Sequence, residues 1–187
     1  MNMENDIQEA AKIISTGGII LYPTDTIWGI GCDATNEKAI KKIYALKKRD
    51  EKKSMIILLA SIKEIDTYVS APSKKILDFL SVQMNPTTAI FEHGINLPKS
   101  LINSDNTIAI RIVKDPFCQS LIRACKVPLI STSANVSGKR YAANFNEISE
   151  EIKKGVDYVV RHRRNDFASN KPSSIIKLDG HKIVTIR

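Results

Sequence analysis

Three short polar stretches hold most of the side chains that could do chemistry. Residues 21–33 read LYPTDTIWGIGCD, an apolar run that gives way to Thr24, Asp25, Thr26, Gly29 and Gly31. STSANVSGKR at 131–140 and NKPSSIIKL at 170–178 again place hydroxyls beside apolar runs. Ser and Thr fill turns in many proteins, but three such clusters at strand ends can converge on one cleft. Thr24, Thr26, Ser131, Thr132, Ser133, Ser137, Ser173 and Ser174 would line that cleft. Hydroxyls and backbone N–H groups suit a small zwitterion or a phosphate chain.

The run LKKRDEKK at 46–53 is the second candidate. Lys41, Lys42 and Lys52 read as a solvated face. Lys47, Arg49 and Lys53 fall between a helix and a buried strand. They either belong to that solvated face or reach the cleft and hold a triphosphate, Arg as a bidentate fork and Lys as a point charge; composition leaves both open. Other chemistries are poorly supported. No Walker loop, G-x-G-x-x-G or G-x-S-x-G appears. His93, His162 and His181 stand alone, so a nucleophilic serine has no evident base. The aromatics are not interleaved as in an RNA-stacking surface. Tyr22 and Tyr44 fit a core, whereas Trp28 sits inside the polar turn as a candidate ligand wall.

The elements that must position these groups follow from periodicity. A helix is expected over 5–16, opened by Asn5-Asp6 and closed by Gly17-Gly18. A short strand over 19–22 follows, then the polar turn, then a helix opened by Asn36. Strands are expected near 55–59, 88–92, 107–113 and 127–131, and helices near 62–69, 73–81, 115–124 and 146–154. DYVVRH, SIIKL and KIVTIR supply three closing strands. Alternating strands and helices with continuous apolar strands argue for an α/β fold, a twisted mixed sheet with a parallel core covered by helices.

The 187 residues are 43% apolar, enough for one domain spanning 1–187. The acidic, polar N-terminus is unlike a signal peptide. The longest apolar runs hold about six residues against the roughly 20 of a spanning helix, so a soluble cytoplasmic protein is expected. Cys32, Cys118 and Cys125 lack C-x-x-C spacing and are expected as reduced thiols. A net charge of +8 fits an anionic partner or simply a basic surface.

YPTDTIWGIGCDA, LKKRDEKKSMIIL, IAIRIVKDP, STSANVSG and SSIIKL occur in that order from about Gly18 onward. Together they resemble the threonylcarbamoyl-AMP synthase family, the YrdC-like domain. The resemblance implies a large basic cavity and a nucleotidyltransferase that forms threonylcarbamoyl-AMP and diphosphate from L-threonine, bicarbonate and ATP, with Mg²⁺ accompanying the nucleotide. It implies partner transferase proteins that pass the threonylcarbamoyl group to tRNA, and it admits contact with tRNA or double-stranded RNA. By this resemblance Thr26, Arg111, Ser131 and Ser173 match threonine contacts. Lys47, Arg49, Lys53, Thr107, Ser133, Asn135, Tyr141 and Arg187 match nucleotide contacts. No catalytic side chain and no protein-held metal are implied. Asp50 stands where the family usually has proline, Trp28 where Tyr or Phe is usual, and Leu58 where a polar residue is frequent. The further C-terminal domain of longer members is expected to be absent. The alternatives are a non-catalytic RNA-binding or ribosome-associated module, and a carbamoyl-phosphate-using relative, for which the chain is short.

Overall fold

The computed structural model describes residues 2–166 and 171–187. Helix α1 (Met3–Ser15) buries Ile7, Ala10 and Ile14, the spacing of an amphipathic helix. Its cap is Asn2, which accepts from the Glu4 amide, and not the expected Asn5-Asp6. Asp6 is buried, accepting from the Tyr158 hydroxyl and the His162 amide, each at 2.7 Å. These remote donors, invisible to a local reading, claim its carboxylate.

Strand β1 (Ile20–Tyr22) sends Ile20 and Tyr22 into one core and Leu21 into the other. The composition of residues 23–33 predicts a polar turn running to the next helix. The chain instead forms β2 (Gly29–Gly31), antiparallel to β1 with Tyr22 opposite Gly29. Two glycines in three residues carry almost no strand signal, which is why the element was missed. Residues 23–28 are thus the tip of a hairpin. Helix α2 (Glu37–Lys47) starts at the expected cap, Asn36, whose side chain accepts from the Lys38 and Ala39 amides.

Beyond β3 (Ile56–Leu59), the single helix expected over 62–69 is a 3-10 turn (Ile62–Glu64) leading into α3 (Ile65–Tyr68). Then come α4 (Lys74–Val82), β4 (Thr87–Phe91), β5 (Ile108–Ile112) and α5 (Pro116–Cys125). Pro116 occupies the first turn of α5, and Asp115 caps it through the Cys118 amide at 2.9 Å. β6 (Leu129–Ser133), α6 (Glu150–Gly155), β7 (Tyr158–Val159), β8 (Ser174–Asp179) and β9 (Lys182–Thr185) complete the chain.

The strands form one mixed sheet in the order β7-β1-β2-β6-β3-β5-β4-β8-β9. The β1–β7, β3–β5 and β4–β8 pairs are parallel and the other neighbours antiparallel, which puts the parallel β3–β5 pair at the centre. Helices α1 and α5 cover one face, packing Ile7, Phe117 and Leu121 on Leu58 and Leu129. Helices α2, α3, α4 and α6 contribute Ile40, Ile65, Ile76 and Ile152 to the other core, around Ile57, Ile110 and Ile130. Side chains alternate along a strand, so Ser131 shares a face with Leu129. Arg111 lies on that face too, directly opposite Leu58 and Thr88. The face that is apolar beneath the helices becomes polar where they end.

Candidate active site

A cavity of about 200 Å³ opens at that boundary. The hairpin tip contributes Thr26 and Trp28, β5 contributes Arg111, and the end of β6 contributes Ser131, Thr132 and Ser133. Arg49, Tyr141, Ser173 and Arg187 close it from the remaining sides. Of the twelve residues expected from sequence, eight therefore share one cavity: Thr26, Arg49, Arg111, Ser131, Ser133, Tyr141, Ser173 and Arg187.

Hydrogen bonding fixes the hairpin tip. The Thr24 hydroxyl donates to the Ile27 carbonyl at 2.8 Å, which spends its single hydrogen. In the 2.9 Å contact between the two hydroxyls, Thr26 must therefore be the donor. Arg111 Nη1 then donates to Thr26 Oγ1 at 3.3 Å. Thr24 sits behind Thr26 as its support and does not itself reach the cavity.

Arg111 is only 3% exposed. Its Nη2 lies 3.1 Å from Asp25 Oδ1, yet neither of those atoms nor Nε completes an aligned hydrogen bond among the described residues. A buried guanidinium with unspent donors costs free energy unless a ligand satisfies it. A planar carboxylate is the group whose geometry matches such a fork. Burial pushes the Asp25 carboxyl up, and the Arg111 charge partly offsets this.

Two further guanidiniums face the cavity. Arg49 spends Nε on the Lys53 carbonyl at 3.0 Å and Nη2 on the Ser54 carbonyl at 2.9 Å. Arg187 reaches the Ser173 carbonyl through Nε at 3.3 Å and Nη2 at 3.2 Å. Burial, and then the charge of Arg111, lower its pKa. The Ser173 hydroxyl pairs with Thr88 at 2.8 Å. Such convergence of positive charge in a partly dry cleft favours a polyanion. Trp28 is buried, its ring against Phe145 at 4.8 Å between centroids, and forms a rigid wall.

Four expected residues lie outside the cavity. Lys47 is buried beneath it, donating Nζ to the Ser133 carbonyl and, at 2.6 Å, to the Asn135 carbonyl. Asn135 donates to the Val136 and Lys139 carbonyls and braces its own loop. Lys53 has an exposed side chain and a pinned backbone, its carbonyl accepting from Arg49 and from the Tyr44 hydroxyl. Thr107 is at the far end of β5, hydrogen-bonded to Asp105 at 2.7 Å, in a separate cleft of about 720 Å³. Asp50, the residue in place of proline, accepts from the Lys52 amide and caps the turn. Leu58 is fully buried against α5.

Gly29, Ser54 and Pro172 also line the cavity and were not singled out as contacts. A Cβ on Gly29 would lie 3.0 Å from Ser131 Oγ, so the absence of a side chain there keeps the serine in place. The GIG spacing was the available signal, but it reads equally as turn punctuation.

Lys47 carries its own prediction. Burial, then the charge of Arg49, lower its pKa to about 8. Its ordinary value of 10.5 holds in the unfolded chain, so between those pH values the unfolded state binds more protons and stability rises with pH. Lys47→Met takes the donor from the Asn135 carbonyl, whereas the Ser133 carbonyl keeps the Asn135 amide at 2.9 Å, at a cost of about 1–3 kcal/mol. Denaturant titrations of both proteins across pH 7 to 11 should therefore show a gap that widens through this window.

Fold and site together define an α/β protein with an arginine-walled, hydroxyl-rich cleft at one end of its sheet. The sequence profile described as telomere recombination, covering Sua5, YciO and YrdC, matches residues 12–187. The chain belongs to this Sua5/YciO/YrdC family. It is 38% identical, over 94% of its own length and 82% of the relative's, to a Methanocaldococcus jannaschii protein provisionally named threonylcarbamoyl-AMP synthase. It is 31% identical to the threonylcarbamoyl-AMP synthase of Pseudoalteromonas translucida, over 86% and 87% of the two chains. The crystal structure of E. coli YciO superposes with a TM-score of 0.83 at 25% identity, covering all of this chain and 89% of that one. P. abyssi Sua5 complexed with L-threonine gives 0.87 at 22% identity over 54% of its length, a likeness of fold. Among the described residues no helix is long and apolar enough to cross a membrane.

Proposed function

We propose that the protein is an L-threonylcarbamoyladenylate synthase that joins L-threonine, bicarbonate and ATP. The observation that carries this reading is Arg111, a buried guanidinium with unspent donors, beside Thr26 and in the same cavity as Arg49 and Arg187. In this reading Arg111 takes the amino acid's carboxylate, and Thr26, Ser131 and Ser173 hold its polar groups. Arg49, Ser133, Tyr141 and Arg187 face the nucleotide. The enclosed space is of amino-acid scale, so the triphosphate extends toward the open mouth. Lys47 and Asn135 hold the Ser133 loop from below, and Lys53 and Thr107 are not assigned direct contacts.

The threonine ammonium releases a proton to solvent, and the free amine condenses with bicarbonate to a carbamate and water. A carbamate oxygen attacks the α-phosphorus, the α–β bridging bond breaks and diphosphate leaves. The side chains position the reactants and stabilise charge, and the steps as written need no side-chain nucleophile or base. Mg²⁺ enters as part of the nucleotide substrate; among the described residues no cluster of three His, Cys, Asp or Glu could cage it. The product would pass to a transferase that modifies tRNA, a role that a cytoplasmic protein would serve.

An RNA-binding module would need its cations on an outer face and a steep salt dependence. Here Arg49, Arg111 and Arg187 point inward, which favours the synthase. Diphosphate release with Mg²⁺, ATP, bicarbonate and L-threonine, each omitted in turn, tests the choice. Release should require both threonine and bicarbonate. RNA binding without threonine binding would replace this reading.

A further inference from the structure

Asp25 stands behind Arg111, away from the substrate cavity. It lines a second cavity of about 90 Å³ together with Lys114 and Pro86, whereas Arg111 lines the first. The ion pair between them is the wall that separates the two spaces. Its side chains are 3% and 11% exposed, for Arg111 and Asp25 respectively. The 3.1 Å approach is poorly aligned for hydrogen bonding, so Asp25 compensates the guanidinium's charge at Nη2 and leaves Nε without a partner among the described residues.

A bound amino acid changes this balance. It brings a second carboxylate to one buried guanidinium. Arg187 is close enough to Arg111 for their charges to interact, but it stands on the cavity side, beside the ligand and not beside Asp25. Two carboxylates competing for the Arg111 charge in a dry site therefore raise the pKa of the one behind it. Among the described residues, the next charge acting on Asp25 does not help. Asp115, at the start of α5, also raises the Asp25 carboxyl and is itself paired with Arg163. Lys114 contributes a backbone hydrogen bond. Tyr22 of β1 and Cys118 of α5 face the same spot and are pushed up by burial, so they stay neutral. Asp25 is the group free to respond, and its own cavity gives a proton a route that avoids the substrate.

Resting on the synthase reading, we propose that Asp25 is the positioning counter-ion of Arg111: it holds the guanidinium while the site is empty and takes up a proton from solvent when a threonine carboxylate becomes the partner. Binding of the amino acid is then proton-linked. Threonine affinity falls as pH rises from 6 to 8, because the proton that the complex needs becomes scarcer. The linkage also selects for ligands with a carboxylate, since an amino alcohol adds no second negative charge.

The test is titration calorimetry of L-threonine into the whole protein at pH 7, in phosphate and in Tris, whose ionisation enthalpies differ. The slope of observed enthalpy against buffer enthalpy counts protons. The wild type should take up a large fraction of one proton per threonine, and Asp25→Asn should bind threonine with a slope near zero. Buffer-independent binding by the wild type overturns the proposal and leaves the synthase reading intact. An unchanged slope in Asp25→Asn overturns it equally. No threonine binding by the wild type defeats both. The wild-type measurement stands alone if the variant does not fold, and L-threoninol, where it binds, should give no uptake.

Discussion

Substituting Arg111 with methionine should abolish detectable L-threonine binding and lower threonine-dependent diphosphate release by at least about 100-fold, a loss typical of removing a preorganised charge-stabilising group. The cavity has other cations, but Arg49 and Arg187 each commit two N–H donors to backbone carbonyls. Among the described cations lining the cavity, only Arg111 combines near-complete burial with unspent donors. Arg111→Lys should rescue little, because a point charge cannot reproduce the fork. Stability should suffer as well. Breaking a buried pair by removing one partner costs about 3–5 kcal/mol, and Asp25 would be the uncompensated partner.

That second effect has a sign in pH. Burial already holds the Asp25 carboxyl above its ordinary value of 3.8, and Arg111 is the charge that pulls it back. Without Arg111 the folded-state pKa climbs further. The native state then retains a proton that the unfolded chain has given up, so stability falls as pH rises from about 4 towards neutrality. Thermal melts at pH 5 and pH 7.5 should show the deficit of Arg111→Met growing with pH. The double variant Asp25→Asn with Arg111→Met should recover most of the melting temperature and none of the activity. Recovery of activity would mean that the guanidinium does not bind the substrate.

The second large effect concerns the two glycines of β2, which look alike in sequence. A Cβ on Gly31 would lie 2.5 Å from the Ile130 carbonyl oxygen and 2.6 Å from Tyr22 Cε1. Neither can retreat: Tyr22 is fully buried, and its hydroxyl donates to that same carbonyl at 3.0 Å. Gly31→Ala should therefore cost about 2–4 kcal/mol, at the upper end for overpacking because backbone must move. On Gly29 the nearest atom is the Ser131 hydroxyl at 3.0 Å, which can rotate. Gly29→Ala should cost under about 1 kcal/mol but raise the KM for threonine about tenfold, roughly the worth of one neutral hydrogen bond. Urea unfolding and steady-state kinetics on both variants would separate the effects. A Gly29→Ala protein with unchanged KM would remove Ser131 from the threonine site.

The local signals in the chain were sufficient for its class. Continuous apolar runs such as residues 19–22 required a sheet covered on both faces, and the two cores on either side of β1 are that requirement met. Asn36 and Asp115-Pro116 fixed two helix starts, because a cap is an interaction within four residues. The hydroxyl clusters predict a shared cleft, and Thr26, Ser131, Thr132, Ser133 and Ser173 do converge on one cavity, whereas Thr24, Ser137 and Ser174 do not line it.

Long-range geometry decided the rest. Asp6 left the helix cap for Tyr158 and His162, more than 150 positions away in sequence. The strand of Gly29–Gly31 exists because β1 and β6 supply its hydrogen bonds, its own propensity being weak. Lys47, Arg49 and Lys53 formed one basic motif in sequence; folding buried the first, aimed the second and left the third in solvent. Charge and residue type are properties of the sequence. Whether a charge is buried, which carbonyls it must satisfy, and whether a carboxylate such as Asp25 stands behind it depend on packing between strands distant along the chain, and only the tertiary structure sets them.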